Sequence, residues 1–258
     1  MLHRPQSTAD ALEMLGLHGA TILAGGTDIF PAHVDRPPPA ALIDITRLPG
    51  LRGVSRDGKT IRIGAATTWT DVVRAPLPPA FGMLKQAARE VGALQIQNRG
   101  TIGGNLCNAS PAADGVPPLL ALDAEVELAS PRGVRKLALE EFLLGNRRTA
   151  RAADEIMTAV VVPDGPAAAR SAFLKLGARR HLVISIVMVA AVLEVGEDAN
   201  IKSARIAVGS ASAVAKRLRA LEQRLIGAPA TADIANQVTK ECLSPLGPID
   251  DTRATANY

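Results

Sequence analysis

Two glycine pairs stand among side chains able to hold a polar ligand. The first is Gly25-Gly26-Thr27-Asp28, directly after the apolar run Ala20-Thr21-Ile22-Leu23-Ala24. The second is Gly103-Gly104, inside the stretch from Gly100 to Asp114. Adjacent glycines leave bare backbone that a ligand can approach closely. Thr101, Asn105, Asn108, Ser110 and Asp114 add hydroxyl, amide and carboxylate groups to the second stretch. Amides exposed where a strand turns into a helix point at phosphate oxygens, and the helix dipole adds favourable potential. No Lys or Arg lies inside the first turn, so a pyrophosphate there would rest on backbone amides and the Thr27 hydroxyl. Alone, a Gly-Gly after a strand is more often a plain tight turn. It also lacks the third glycine and downstream acid of the dinucleotide fingerprint. Two such turns facing one another across a cleft suit an elongated, nucleotide-like cofactor with a diphosphate in its middle. Asp28 and Asp114 would then orient hydroxyls or ring nitrogens.

The totals bound what else the chain does. Its 258 residues hold one large domain or two to three small ones, and 47% hydrophobic content supplies a sizeable core. Aromatic residues are only 2%, which argues against a stacking platform for single-stranded nucleic acid. The net charge of +4 is spread among acids and bases, with Arg147, Arg148 and Arg151 the densest cluster, so no nucleic-acid stripe is expected. Cys107 and Cys242 make neither a disulfide framework nor a metal set. His3, His18, His33 and His181 share no ligand spacing. The N-terminus lacks the apolar core of a signal peptide, and the longest apolar run, 183–195, is too short to span a bilayer. A cytoplasmic protein without a membrane span is expected.

The elements that must position these groups follow from pattern. Ser7 and Asp10 read as the capping box of a helix closed by Gly16. Strands at 20–24 and 41–45 flank the first glycine turn and a short helical turn at 29–34, a small right-handed parallel unit. Asp57-Gly58 joins a hairpin. Thr67 or Thr68 caps a helix to Arg74, and Phe81 to Val91 has helical spacing. After the second glycine stretch come a strand at 124–129, a short helix at 139–144 and a strand at 155–162. Pro163-Asp164-Gly165-Pro166 reads as a linker. Beyond it, strands at 171–176, 183–195 and 204–208 and helices near 214–226 and 231–243 make an α+β unit.

Together, Ile22-Leu23-Ala24-Gly25-Gly26-Thr27-Asp28, Gly100-Thr101-Ile102-Gly103-Gly104-Asn105 and Ser110-Pro111-Ala112-Ala113-Asp114 resemble the FAD-binding medium subunit of molybdenum hydroxylases. Xanthine dehydrogenase and carbon monoxide dehydrogenase belong to that family. Ile63 to Thr68, Phe173-Leu174-Lys175, Ala207-Val208-Gly209, Asp251-Thr252-Arg253 and Tyr258 extend the resemblance over essentially the whole chain. It implies an α+β fold. A two-lobed FAD-binding domain of the PCMH type would occupy 1–165, with a small parallel βαβ lobe at about 1–54 and a mixed-sheet lobe at 55–165. An α+β C-terminal domain with an antiparallel sheet would occupy 170–258.

The resemblance also implies roles. Ile22, Leu23, Ala24, Gly25, Gly26, Thr27, Asp28 and Ile29 would wrap the FAD pyrophosphate and ribityl chain. Thr101, Ile102, Gly103, Gly104 and Asn105 would form a second phosphate loop. Asp114 would bond the polar part of the cofactor, and Val91 would give an apolar contact. Met157 would pack near the isoalloxazine, and Lys175 would reach the flavin from the C-terminal domain. FAD would take electrons from [2Fe-2S] clusters on a small subunit, fed by molybdopterin on a large one, in a heterotrimer or a dimer of heterotrimers. Two cysteines are too few for a cluster on this chain, and no cysteine-bearing insertion is expected. Family members usually continue past the final tyrosine with a further helix; the sequence here stops at Tyr258, so either the chain is trimmed or that helix is missing.

Electron entry needs no acid–base triad, and none is evident. A covalent flavin link at Cys107 is the lesser reading beside a small buried hydrophobe. Arg179-Arg180 reads as a solvated turn, or as a steering patch for an anionic acceptor. Two other functions stay open at this level: a self-sufficient flavin oxidase and a cofactor-free scaffold.

Overall fold

The computed structural model describes the backbone of residues 1–258 and every side chain except those of residues 17 and 18. The His18 side chain therefore lies outside the described residues. The first sheet is small and parallel: β1 (Leu2–His3), β2 (Thr21–Leu23) and β3 (Leu42–Asp44), in the order β1-β3-β2. β1 is two residues long and carries no pattern, so only the structure reveals it. Helix α1 (Thr8–His18) starts as expected. The Ser7 hydroxyl accepts from the Asp10 amide at 3.1 Å, and the Asp10 carboxylate accepts from the Ser7 amide at 3.1 Å. It ends later than Gly16, at Gly19, which takes the left-handed conformation with φ 53°. Ala11, Leu15, Ile43, Ile45 and Leu48 form the core of this lobe.

Gly16 is thus an interior, exposed helix residue with open space where a Cβ would go. Gly16→Ala removes unfolded-state freedom without a clash, so the protein is expected to gain about 0.5–1 kcal/mol. A urea midpoint moved upward at unchanged slope checks this.

The second sheet contains β4 (Val54–Asp57), β5 (Thr60–Gly64), β6 (Glu125–Ser130) and β7 (Gly133–Ala138). Beyond a separate hairpin, β8 (Leu143–Gly145) with β9 (Arg148–Thr149), its central strand β10 (Ile156–Pro163) follows. The order is β4-β5-β10-β6-β7. Every pairing is antiparallel, where a mixed sheet was expected, because hairpin turns join β4 to β5 and β6 to β7. Around it pack α2 (Trp69–Arg74), α3 (Gly82–Glu90), α4 (Leu94–Gln97), α5 (Ile102–Asn108), α6 (Val116–Ala121) and α7 (Leu139–Phe142). Thr68, not Thr67, caps α2; the Thr67 hydroxyl instead bridges the Gly53 amide and carbonyl.

The third sheet has the order β11 (Arg170–Leu176), β12 (Val187–Val195), β13 (Ile201–Gly209) and β14 (Lys216–Arg217), all antiparallel. Three expectations change here. The apolar run at 183–195 enters the sheet only at Val187, because Ser185 turns inward to an acid described below. The helix expected at 214–226 is β14 followed by the short α8 (Arg219–Leu225). Arg217 decides that: its guanidinium, only 5% exposed, bonds Glu222 at 2.6 and 2.7 Å, Asp123 at 2.6 Å and the Leu120 carbonyl at 3.0 Å. The helix expected at 231–243 is two 3-10 turns, Ala232–Gln237 and Glu241–Leu243, separated by extended backbone at Val238. Thr231, Asn236, Val238 and Thr239 are poor helix formers, and Val238 is exposed instead of completing an apolar face.

Candidate cofactor site

One cleft of about 720 Å³ lies between the parallel lobe, α5 and β10. That volume falls in the range of small-molecule and cofactor sites. Its first wall is the turn after β2. Chain direction reverses there because Gly26 adopts φ 76°, and the Phe30 amide closes the turn on the Gly26 carbonyl at 3.1 Å. Among the described residues, the amides of Gly25, Gly26, Thr27, Asp28 and Ile29 donate no hydrogen bond within the chain. A consecutive run of unpaired donors in a concavity is an anion cradle.

The second wall differs from the expected loop. Gly103 and Gly104 lie inside the first turn of α5, capped by the Thr101 hydroxyl, which accepts from the Gly104 amide at 3.0 Å. Its other leading amides are also engaged. Ile102 donates to the Thr67 carbonyl, Gly103 to the Ala65 carbonyl and Asn105 to the Thr101 carbonyl. Among the described residues, Thr101 alone of the expected loop keeps an amide without an acceptor in the chain. The glycines serve close approach instead: a Cβ on Gly103 would stand 2.7 Å from the Ala65 Cβ and 2.8 Å from its carbonyl oxygen. The two walls meet where Gly25 lies against the Arg99–Gly100 backbone. Asn108 ties them again, donating to the Asp28 carboxylate at 3.0 Å.

Most of the expected residues come together. Ile22, Ala24, Gly25, Gly26, Thr27, Asp28, Ile29, Val91, Thr101, Gly103, Gly104, Asn105, Asp114 and Met157 all line the cleft. Leu23 does not, because strand alternation turns it into the core at 7% exposed. Ile102 is fully buried beneath α5. Lys175 stands behind the lining, where its Nζ lies 3.0 Å from Asp114 and 3.4 Å from the Glu90 carbonyl. Asp114 also accepts from the Ser185 hydroxyl at 2.9 Å. Burial pushes its carboxyl above the usual range, against the opposing pull of Lys175 and Ser185.

Sequence reasoning missed the β8–β9 hairpin side, where Asn146, Arg147, Thr149 and Arg151 line the cleft. The arginine cluster was the available signal, and nothing in its spacing links it to Gly25, more than a hundred residues upstream. Burial pushes the Cys107 thiol up to about 11, so it is a neutral lining group. Among the described residues no group of three or more His, Cys, Asp or Glu is placed to hold a metal ion. Arg179 and Arg180 line a second, separate groove with Lys175.

Residues 1–165 match the family described as the FAD binding domain in molybdopterin dehydrogenase. Residues 172–258 match the CO dehydrogenase flavoprotein C-terminal domain. The chain belongs to the FAD-binding medium subunits of the molybdopterin dehydrogenase family. It is 38% identical over 217 residues to the nicotinate dehydrogenase FAD-subunit of Eubacterium barkeri, covering 82% of this chain and 73% of that one. It is 31% identical over 260 residues to the carbon monoxide dehydrogenase medium chain of Hydrogenophaga pseudoflava, covering 99% and 90%. A solved carbon monoxide dehydrogenase from the same organism, lacking the Mo-pyranopterin moiety, superposes with a TM-score of 0.92 over 100% of this chain and 90% of that one. The cleft of this medium subunit fits FAD on its own chemistry. The free amide run provides donors for a diphosphate, and the buried Asn105 Oδ1, without a partner, provides an acceptor.

Proposed function

We propose that this medium subunit holds FAD in the cleft and works as the electron outlet of a molybdenum hydroxylase. Electrons reach FAD from [2Fe-2S] clusters on a small subunit, supplied by molybdopterin on a large one, and leave to an external acceptor. A heterotrimer, or a dimer of heterotrimers, working in the cytoplasm is the corresponding assembly. No helix is long and apolar enough to cross a membrane. FAD supplies the redox chemistry when bound; the chain supplies position and electrostatics. The observation that carries the reading is the unpaired amide run from Gly25 to Ile29 facing a cleft of cofactor size.

The remaining residues take roles on that basis. Ile22, Ala24 and Val91 exclude water along the ligand, and Met157 closes one side. Asp114 presents its carboxylate to the cofactor, and Lys175 acts through Asp114. Residues 1–165 form the FAD-binding domain, with lobes 1–54 and 55–165, and 170–258 the C-terminal domain. The matched segments and the proline-rich break at 163–166 support that division. Expression with ample flavin should yield a yellow protein that releases FAD, at about one per chain, on denaturation. A colourless protein that also fails to take up added FAD would overturn the reading in favour of a cofactor-free scaffold. Rapid flavin reduction by a small alcohol or amine without partner subunits would favour a self-sufficient oxidase.

A further inference from the structure

The amide cradle holds no cation of its own, yet the cleft is not without positive charge. Arg151 lines it, in the segment after β9. Its Nη1 donates to the carbonyls of Ala152 at 3.1 Å and Glu155 at 2.6 Å. Those are neutral acceptors, so they fix the guanidinium without cancelling its charge. The two nearest acids in sequence are already committed. Asp154 pairs with Arg132 at 2.5 and 3.1 Å. The Glu155 carboxylate, 3% exposed, accepts from Arg135 at 2.6 and 2.9 Å and from the Ala152 amide at 2.7 Å. Among the described residues no carboxylate lies within ion-pair distance of Arg151. Its Nε and Nη2 make no hydrogen bond in the chain, so part of a rigid five-donor fork is unused.

The rest of the cleft points the same way. Cys107, whose thiol feels the Arg151 charge, stays neutral near pH 7 and cannot be its counter-ion. Asp114 is balanced by Lys175. Asp28 is the one remaining lining acid, against Arg151 and Arg147. Arg147 is itself held to the rim, in a left-handed conformation with φ 55°, by its amide bond to the Ala109 carbonyl at 3.1 Å. Successive residues of one helix connect the two sides of the site. Cys107 lines the cleft with Arg151, and Asn108 bonds Asp28 at the end of the amide cradle. A positioned guanidinium without a counter-anion, together with free backbone donors in the same cleft, is a site for a multiply charged oxyanion.

We infer that Arg151 is a binding residue for the diphosphate of the dinucleotide, completing from the β9 side the cradle that Gly25 to Ile29 open from the other. This rests on the FAD reading and deepens it, since it assigns a cation to a subsite that backbone amides and the Thr27 hydroxyl were expected to form. Arg147, on the rim, adds long-range attraction.

The test is ligand binding to flavin-depleted full-length protein, followed by flavin fluorescence for FAD and riboflavin and by competition for ADP and adenosine. In Arg151→Met, Kd for FAD and for ADP should rise together by about 10- to 100-fold, as for loss of a charge-assisted hydrogen bond. Affinity for riboflavin and adenosine, which lack the diphosphate, should stay within twofold. Salt should weaken FAD binding less steeply in the variant than in wild type. Arg151→Lys, keeping charge without the fork, should fall between the two. Arg148→Met, on the same hairpin but outside the cleft lining, should match wild type. FAD affinity unchanged in Arg151→Met would overturn the assignment, and so would an equal loss for riboflavin, which would mark a merely structural role. Wild-type protein that binds no FAD at all would instead overturn the cofactor reading itself.

Discussion

Gly25→Ala is expected to weaken FAD binding by about 100-fold or more while leaving secondary structure in place. A Cβ there would stand 2.0 Å from the Arg99 carbonyl oxygen, 2.6 Å from its carbon and 2.9 Å from the Gly100 Cα. All three are backbone atoms, so no rotamer change relieves the overlap. The turn after β2 and the Arg99–Gly100 segment must part by about 1 Å or more to restore ordinary contact. That displacement tilts the free amides of Gly26 to Ile29 away from the α5 wall. Hydrogen bonds to a charged oxyanion contribute about 1.5–3 kcal/mol each, so losing two accounts for the expected drop. The overpacking itself costs about 1–3 kcal/mol of stability. Flavin content after purification and FAD titration give the answer. Stoichiometric flavin in Gly25→Ala would refute the idea that this contact sets the shape of the site.

The second large effect concerns the buried pair behind the cleft. Lys175 and Asp114 have side chains 8% and 10% exposed, 3.0 Å apart. Removing one partner of such a pair strands a charge, at about 3–5 kcal/mol. Lys175→Met should therefore destabilise the protein by that order at neutral pH. The sign of its pH dependence follows from Asp114. Burial already raises its carboxyl, and losing Lys175 raises it further. A group that holds its proton more tightly in the folded state stabilises that state as pH falls. The deficit of Lys175→Met should be largest above the raised Asp114 value and shrink as pH drops through it. FAD should also bind more weakly at high pH, because an unbalanced carboxylate then faces an anionic ligand. Urea unfolding at a series of pH values upward from the ordinary carboxylate range of about 4 reads this directly. A deficit independent of pH would exclude Asp114 as the cause. The double variant with Asp114→Asn should recover most of the loss.

Much of the fold was legible because its signals are local. Ser7 with Asp10, Asp57-Gly58 and the apolar alternation of β6 each specify an element within a few residues. The failures share a different cause. Arg217 leaves the helical pattern to reach Asp123, and Ser185 leaves the strand pattern to reach Asp114. Both are partners far away along the chain, which periodicity cannot register. The site shows the same division. The glycine segments announce themselves by composition, whereas Arg151 reaches the cleft through a hairpin whose only local mark is a cluster of arginines. The second glycine pair also misled. Gly103 is bare backbone for packing on Ala65 and Gly104 lies against the Thr101 hydroxyl, with both amides already engaged, which composition does not reveal.

The placement of Asp114 has a consequence for how the protein is made. Its acid is translated well before both groups that satisfy it, since Lys175 and Ser185 come from the far side of the proline-rich break. The segment that carries the glycine turns and β10 thus lacks the partners of its own buried acid until β11 and the loop after it are present, so Asp114 links the two matched segments of the chain.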